Sequence, residues 1–176
     1  AAGAPVDKLM VFAEAPDWLH PGRSGELRLG TKTVLARFGE LHPRVMRDLD
    51  IDGPVAVFEV FLDAIPVPKG KGGRSKGAFN ASDLMPVRRD FAFVVDEAVT
   101  ADKLIKAARG ADKALIVDVT LFDVYRGKGI EEGRKSLAID VTLQPRDKTL
   151  TDEDIDAVAA KIRAAVEKAT GGSLRG

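Results

Sequence analysis

The chain has a single tyrosine, Tyr125, and polar side chains lie close to it on both sides of a glycine-rich turn. Asp123 and Arg126 flank the tyrosine, and Arg134 and Ser136 follow the turn. An aromatic ring exposed on a β-sheet can stack on an unpaired base, while Asp and Ser can hydrogen-bond the edge of that base and Arg can meet its phosphate. The alternative is an ordinary tyrosine at the end of a strand, half buried in the core. The pattern alone does not decide between the two.

Signals for catalysis or metal binding are weak. The two histidines, His20 and His42, each precede a proline and form no His-Glu-x-x-His pattern. Glu59 and Asp63 would share one face of a strand, but an isolated acid on a strand more often faces solvent or pairs with a cation. The chain has no cysteine, which excludes disulfides, thiolate catalysis and thiolate zinc sites. We therefore predict no catalytic residue and no metal ligand here.

Composition and charge argue against bulk binding of polyanions and against a membrane-spanning segment. The 176 residues include 27 Lys plus Arg and 27 Asp plus Glu, so the formal net charge is zero. Bulk electrostatic binding of a polyanion needs surplus cations, so any contact with nucleic acid must be confined to a local patch. No apolar run approaches the roughly 20 residues that cross a bilayer. The chain begins without an initiator Met or a secretory pattern, and we expect a fragment of a longer cytoplasmic protein.

The elements that would position the residues around Tyr125 follow a regular order in the second half of the chain. In sequence they are a strand at 91–95, a helix from Thr100 to Gly110, strands at 115–125 and 137–143, a helix from Thr151 to Gly171 and a short strand at 173–175. The order β-α-β-β-α-β predicts an α+β, ferredoxin-like antiparallel sheet with both helices on one face and the other face free. This fold serves many functions, so it does not identify one.

The strand at 115–125 contains a conflict. If side chains alternated strictly, Tyr125 would share a face with the core-like Leu121 and could not meet a nucleic acid. A β-bulge adds one residue to a strand and re-aims the side chains that follow it. We therefore predict a bulge or sharp twist between Leu121 and Asp123 that turns Tyr125 outward, beside Ala92 and Ser136.

The first part of the chain is less regular. Strands are expected at Lys8–Ala13, Thr33–Arg37 and Val55–Leu62, and a short helix at Pro43–Leu49. The last of these strands is apolar on both faces, which is typical of a central strand. Because it has few hydrophobic partners here, we read residues 1–68 as the carboxy-terminal part of a larger α+β domain. Residues 69–82, rich in glycine and cations, predict a linker, and residues 83–176 the ferredoxin-like domain.

Seven motifs occur in one order along the chain. They are WLHPGRS from Trp18, FGELHP from Phe38, FEVFLD from Phe58, LMPVRRDFAF from Leu84, LFDVYRGKGI from Leu121, KSLA from Lys135 and TLTD from Thr149. Together they resemble the carboxy-terminal part of the bacterial phenylalanyl-tRNA synthetase beta chain, and they cover essentially the whole chain. The resemblance implies that the second half is a ferredoxin-fold anticodon-binding domain. It also implies that residues 1–68 end a catalytic-like domain that has the synthetase fold without its catalytic residues.

The resemblance further implies a function and partners. The whole enzyme would join phenylalanine to its tRNA with ATP and Mg²⁺, as a heterotetramer of two alpha and two beta chains with the active site in the alpha chain. The fragment alone would be inactive and would hold no cofactor. The alternative, from another class, is a ferredoxin-like regulatory module that binds a small metabolite in a concave, mostly apolar pocket.

The resemblance also assigns roles to individual residues. Tyr125 matches the position that stacks on an anticodon base, and three others match positions that line the pocket of that base: Asp123, Ser136 and Ala92. We add three arginines as phosphate contacts or strand-end anchors: Arg88, Arg89 and Arg134. Arg89 and Asp90 could equally form a structural pair.

Overall fold

The computed structural model describes residues 8–66 and 82–175. The chain divides into two units between Ser75 and Lys76, and each unit is described by itself. The predicted linker at 69–82 lies outside the described residues except for Ser82, whose hydroxyl donates to the carbonyl oxygen of Pro145 at 2.8 Å. No helix in the described ranges is long and apolar enough to cross a membrane.

The first unit contains a four-stranded antiparallel sheet in which each strand pairs with the next along the chain. Its elements are β1 (Leu9–Phe12), β2 (Leu19–Leu29), β3 (Thr33–Leu41), the helix α1 (Pro43–Asp48) and β4 (Ala56–Val60). The expected helix is confirmed, and it begins where the His42 side chain accepts a hydrogen bond from the backbone N–H of Arg44 at 3.1 Å. Strand β2 was not expected from the sequence, and its pairing with β3 is irregular between Leu19 and Ser24.

The last strand of this unit differs from the expectation. The prediction that Val55–Leu62 forms a central strand is wrong for the described residues, because β4 lies at the edge of the sheet and pairs only with β3. Its apolar side chains are exposed, since Phe58 is 80% exposed and Leu62 is 70% exposed. A strand that is apolar on both faces is therefore left uncovered by the described chain.

A buried carboxylate holds β2 and β3 together. Glu26 is only 5% exposed, and it accepts hydrogen bonds from the Nε atoms of Arg28 at 2.8 Å and Arg37 at 3.0 Å. Arg28 also pairs with Glu14. Burial disfavours the charged form of Glu26, but the two arginine hydrogen bonds outweigh burial and hold its pKa below the ordinary value.

The second unit has the order expected from the sequence. Its elements are β5 (Val87–Asp96), α2 (Ala101–Gly110), β6 (Ile116–Tyr125), β7 (Arg134–Leu143), α3 (Asp152–Thr170) and β8 (Ser173–Leu174). The strands are antiparallel and lie in the spatial order β6-β7-β5-β8. The predicted α+β, ferredoxin-like fold is confirmed.

The helix boundaries follow from capping residues. Thr100 accepts a hydrogen bond from the backbone N–H of Lys103 at the start of α2. Thr151 and Asp154 form a reciprocal capping box at the start of α3, and that helix ends at Gly171, whose φ of 69° suits glycine. The caps set the ends of the helices, and the apolar stripes of both helices pack against one face of the sheet.

The core of the second unit lies between that face and the two helices. It includes, from the strands, Phe93, Val95, Leu137, Ile139 and Val141 and, from the helices, Leu104, Ala108, Val158, Ile162 and Val166. The residues that alternate with these along β5 and β7 point to the opposite face, which no described helix covers. This helix-free face is the surface on which the predicted site lies.

Candidate nucleic-acid interface

A β-bulge in β6 sets the direction of its last side chains. The register with β7 shifts between Leu121 and Asp123, so Phe122 is an extra residue with no partner of its own. Tyr125 consequently lies opposite Ser136, on the helix-free face. The bulge predicted from the sequence is confirmed.

Two adjacent rows of cross-strand neighbours form the site around the tyrosine. The first row is Tyr125, Ser136 and Val94, and the second is Asp123, Ala138 and Ala92. The two alanines have small side chains, so the second row leaves space beside the ring. The structure therefore brings together four predicted site residues from three strands: Tyr125, Asp123, Ser136 and Ala92.

The ring of Tyr125 is held in place but stays accessible. The residue is 36% exposed, and its hydroxyl donates to the carbonyl oxygen of Lys128 at 3.2 Å. A Cβ atom at Gly127 would lie 3.0 Å from that hydroxyl oxygen, so glycine allows the turn to approach the ring. The guanidinium of Arg175 lies 5.4 Å from the ring centroid. These contacts hold the ring in one orientation while leaving part of it open for stacking.

Two polar side chains beside the ring have hydrogen-bonding capacity to spare. Ser136 is 3% exposed, and its hydroxyl makes no hydrogen bond to another residue of the described ranges. The carboxylate of Asp123 is exposed and likewise has neither an ion pair nor a side-chain hydrogen bond within the described part of the chain. A carboxylate accepts hydrogen bonds, and a hydroxyl both donates and accepts. Together they can bond to the edge of a base that stacks on the tyrosine.

Of the three predicted arginines, only Arg134 lies near this group. It precedes Ser136 by two residues on β7, so both point to the same face. Its Nη2 donates to the carbonyl oxygen of Val94 at 3.1 Å, and its Nη1 lies 3.7 Å from a carboxylate oxygen of Glu131. This position suits a strand-end anchor that also places a cation beside the site.

Arg88 lies on the helix-free face but at its other end. It is opposite Thr142, six residues along β7 from Ser136, which at the usual rise is a separation of about 20 Å. Its Nε donates to both carboxylate oxygens of Asp140, at 3.0 and 3.2 Å. The structure thus does not bring Arg88 to the tyrosine.

Arg89 lies on the opposite face of the sheet. It is paired with the buried Val141, so alternation points it to the helix side. The alternative pair with Asp90 is not formed among the described residues, because adjacent residues of a strand point to opposite faces. Arg89 therefore does not line the predicted pocket.

The half of the helix-free face that is remote from the tyrosine is acidic. Asp90, Asp118 and Asp140 lie there, and the nearby cations Arg88 and Arg109 each bond to one of these carboxylates. Carboxylates repel phosphate groups, so this half disfavours a nucleic-acid backbone. A nucleic-acid backbone would meet less repulsion on the half that contains Tyr125.

The two histidines that were considered as candidates for catalysis or metal binding have structural roles. His20 Nδ1 accepts from the backbone N–H of Gly22 at 3.1 Å, and His42 caps α1. Within residues 8–66 and 82–175, no group of three or more His, Asp or Glu side chains could hold a metal ion. The described residues thus do not fit the Mg²⁺ that the resemblance implies for the whole enzyme.

One residue of the site was missed by sequence reasoning. Arg175 follows the two-residue strand β8, and only its place in the predicted short strand at 173–175 could have pointed to it. Its side chain extends across the sheet to Tyr125, although β8 lies on the edge of the sheet opposite to β6.

Comparison with known proteins assigns the second unit to a family. The family model described as the ferredoxin-fold anticodon binding domain matches residues 82–175, more than half of the chain. The chain belongs to this family. The anticodon-binding domain accounts for all of the second unit's strands and helices. A second model, described as the phenylalanyl tRNA synthetase beta chain CLM domain, matches residues 2–62.

Curated relatives match both the anticodon-binding domain and the segment before it. The chain is 59% identical over 99% of its length to the phenylalanine–tRNA ligase beta subunit of Rhodospirillum rubrum, and 60% identical over its full length to that of Paramagnetospirillum magneticum. It is 55% identical to the corresponding subunit of Bradyrhizobium diazoefficiens. In each case it spans 22% of the relative. The resemblance found in the motifs is confirmed.

Proposed function

We propose that this chain is the anticodon-recognition part of a phenylalanine–tRNA ligase beta subunit. The observation that carries the proposal is the exposed ring of Tyr125 on a helix-free sheet face, beside the unpartnered Asp123 carboxylate and Ser136 hydroxyl. Proteins read unpaired RNA by stacking a base on such a ring and hydrogen-bonding the base's edge. The family match and the identity to the ligase beta subunits support the same assignment.

Each residue of the site then has a defined task. The Tyr125 ring stacks on one unpaired anticodon base, and Asp123 and Ser136 bond to the polar edge of that base. Ala92, in the neighbouring row, leaves room for it. Arg134 anchors the start of β7 and adds a positive charge near the backbone of the RNA.

The chemistry of the whole enzyme takes place elsewhere in this proposal. The alpha chain would attach phenylalanine to the tRNA with ATP and Mg²⁺, in a cytoplasmic heterotetramer of two alpha and two beta chains. Residues 1–68 would end a catalytic-like domain, residues 69–82 would link it to the anticodon-binding domain at 83–176, and the fragment alone would be inactive. Anticodon recognition by this part adds affinity because it tethers a second contact to those made at the acceptor end.

The proposal is tested by titrating the 176-residue chain with an anticodon stem-loop RNA. Tyr125→Ala should weaken binding by about 1 to 3 kcal/mol, which is the usual contribution of one stacked base. Tyr125→Phe should retain most of the affinity, because the face of the ring does the stacking. Circular dichroism on each variant measures whether folding is unchanged.

Met85→Ala serves as the matched control. Met85 is an exposed apolar side chain in the same unit, two residues before β5 and at the end of the sheet remote from Tyr125. It should leave RNA affinity unchanged. An alanine variant at Tyr125 that loses stability but keeps its affinity would contradict the proposal.

The alternative function, binding of a small metabolite, has weaker support. The second unit contains a cavity of about 290 Å³ beside α3, lined by Leu115, Leu150 and Val158 among others. Two pairs of charged groups at its rim are already satisfied, since Lys161 bonds to Asp112 at 2.8 Å and Lys148 lies 3.1 Å from Asp154. A parallel titration with free amino acids distinguishes this function from RNA binding.

A further inference from the structure

Arg175 reaches the tyrosine from the opposite edge of the sheet. Its backbone N–H donates to the carbonyl oxygen of Ala92 at 2.7 Å, which extends the pairing of β8 with β5 by one residue. Its guanidinium lies 5.4 Å from the centroid of the Tyr125 ring. Strand β8 and strand β6 are three strand spacings apart, or about 14 Å, so both side chains must extend across the sheet to meet.

The residues between the two side chains are small, so they do not obstruct the contact. Ala92 on β5 and Ala138 on β7 are paired and occupy the row that the Arg175 side chain crosses. A larger side chain at either position would lie between the arginine and the ring. These two alanines thus leave room for the arginine side chain to extend toward the ring.

The charge of Arg175 is not neutralised by a carboxylate within the described residues. Arg88 and Arg126 of the same unit differ, since Arg88 bonds to Asp140 and Arg126 bonds to Glu97 at 2.6 Å. The face of a tyrosine ring is a weaker partner for a guanidinium than a charged oxygen is. Arg175 therefore keeps its capacity to bind an anion that arrives at the ring.

We propose that Arg175 is a second RNA-binding residue of this site and contacts a phosphate of the nucleotide whose base stacks on Tyr125. The inference rests on the proposed function. A guanidinium presents parallel N–H donors that match two phosphate oxygens, and the backbone of a stacked nucleotide passes beside the ring where the guanidinium lies. The acidic half of the same face leaves this end as the place where the backbone can run.

The test is the salt dependence of binding between the 176-residue chain and the anticodon stem-loop RNA. Arg175→Ala should weaken binding about tenfold at low salt, as expected for a charged hydrogen bond. The slope of log affinity against log salt concentration should also fall by about 0.7, the value for one single-strand phosphate. Arg175→Lys should retain the slope but lose part of the affinity, because an ammonium cannot form the two parallel bonds.

Arg163→Ala is the matched control. Arg163 lies on α3 and bonds to Glu167 at 2.9 Å, so the variant removes the same charge from the molecule but not from the site. Its affinity and slope should equal those of the unmodified chain. If Arg175→Ala behaves like this control while Tyr125→Ala weakens binding, the inference is wrong and the proposed function stands.

Two other outcomes are also decisive. A loss of affinity in Arg175→Ala with an unchanged slope would mean that the arginine only orients the ring, which overturns the phosphate contact. If the unmodified chain shows no RNA binding, the proposed function itself fails.

Discussion

Asp123 is the side chain of the site that can discriminate most between bases. An ionised carboxylate only accepts hydrogen bonds, so it matches a base edge that offers two donors. Guanine offers its N1–H and N2–H₂ groups, whereas inosine lacks the amino group. Asp123→Asn should reduce the preference for a guanine-containing anticodon loop over its inosine counterpart about tenfold, because the amide offers one acceptor in place of two.

The measurement is the ratio of affinities for the two stem-loops, determined for the unmodified chain and for each variant. Asp118→Asn makes the same chemical change on the same face but in its acidic half, where Asp118 pairs with Arg109 at 3.1 Å. It should leave the ratio unchanged. An unaltered ratio in Asp123→Asn would remove Asp123 from base recognition.

At the level of residues, the sequence predicted which face of the sheet each side chain points to. It did not predict how far each side chain lies from Tyr125. The conflict between Leu121 and Tyr125 required a bulge, and the bulge is present. Arg88 points to the predicted face but lies at its remote end. Its position along the face depends on the length and register of the strands. Arg175 escaped prediction because its contact depends on which strands neighbour each other and on a side chain that extends over two of them.

At the level of elements, the hairpin of β2 and β3 depends on one buried charge. Replacing Glu26 by Gln keeps the shape but removes the charge that Arg28 and Arg37 surround. We expect a loss of about 1 to 3 kcal/mol in the local stability of these strands, less than for a fully buried pair because Arg37 is partly exposed. Hydrogen exchange of the β2 and β3 amides measures this loss.

The loss of stability caused by Glu26→Gln should decrease as the pH falls. The pKa of Glu26 is lower in the folded chain than its ordinary value, so its stabilisation is complete above that value and disappears as the pH falls through the folded pKa. The difference between the unmodified chain and Glu26→Gln should therefore be full near about pH 7 and should shrink as the pH falls below the ordinary pKa of a glutamate. Glu40→Gln, which disrupts the more exposed pair with Arg23, should cost less than about 0.5 kcal/mol. Equal effects of the two variants would argue against the role of the buried carboxylate.

The elements of the two units differed in how well the sequence indicated them. Strands β5 to β7 and helices α2 and α3 carry regular apolar periods and capping residues, so their existence and order could be predicted. Strand β2 could not, because Pro21, Gly22 and Gly25 are poor strand formers and interrupt its alternation. The irregular pairing at this point shows the same interruption in the structure.

At the level of the whole molecule, the first unit leaves an apolar surface on β4 uncovered. Phe58 is paired with Phe38, and Val60 and Leu62 are also exposed. Contiguous apolar surface of this kind promotes association and binds apolar dyes. Phe58→Ser should lower the fluorescence of a bound apolar dye and shift sedimentation of the 176-residue chain toward the monomer.

Met85→Ser provides the comparison, since Met85 is similarly exposed but belongs to the second unit. It should change neither dye fluorescence nor sedimentation. If the unmodified chain sediments strictly as a monomer and binds no dye, the apolar strand does not act as an association surface.

The bulged strand β6 has a further consequence for the molecule. Since β6 is an edge strand, its outer N–H and C=O groups could pair with a strand of another molecule. Register shifts after Ile116 and after Leu121 break the even spacing of these groups, and the opposite edge is formed by β8, which has only two residues. On the β6 side of this sheet, a foreign strand therefore finds no long, regular edge. The irregularity that turns Tyr125 outward also protects this edge from edge-to-edge aggregation.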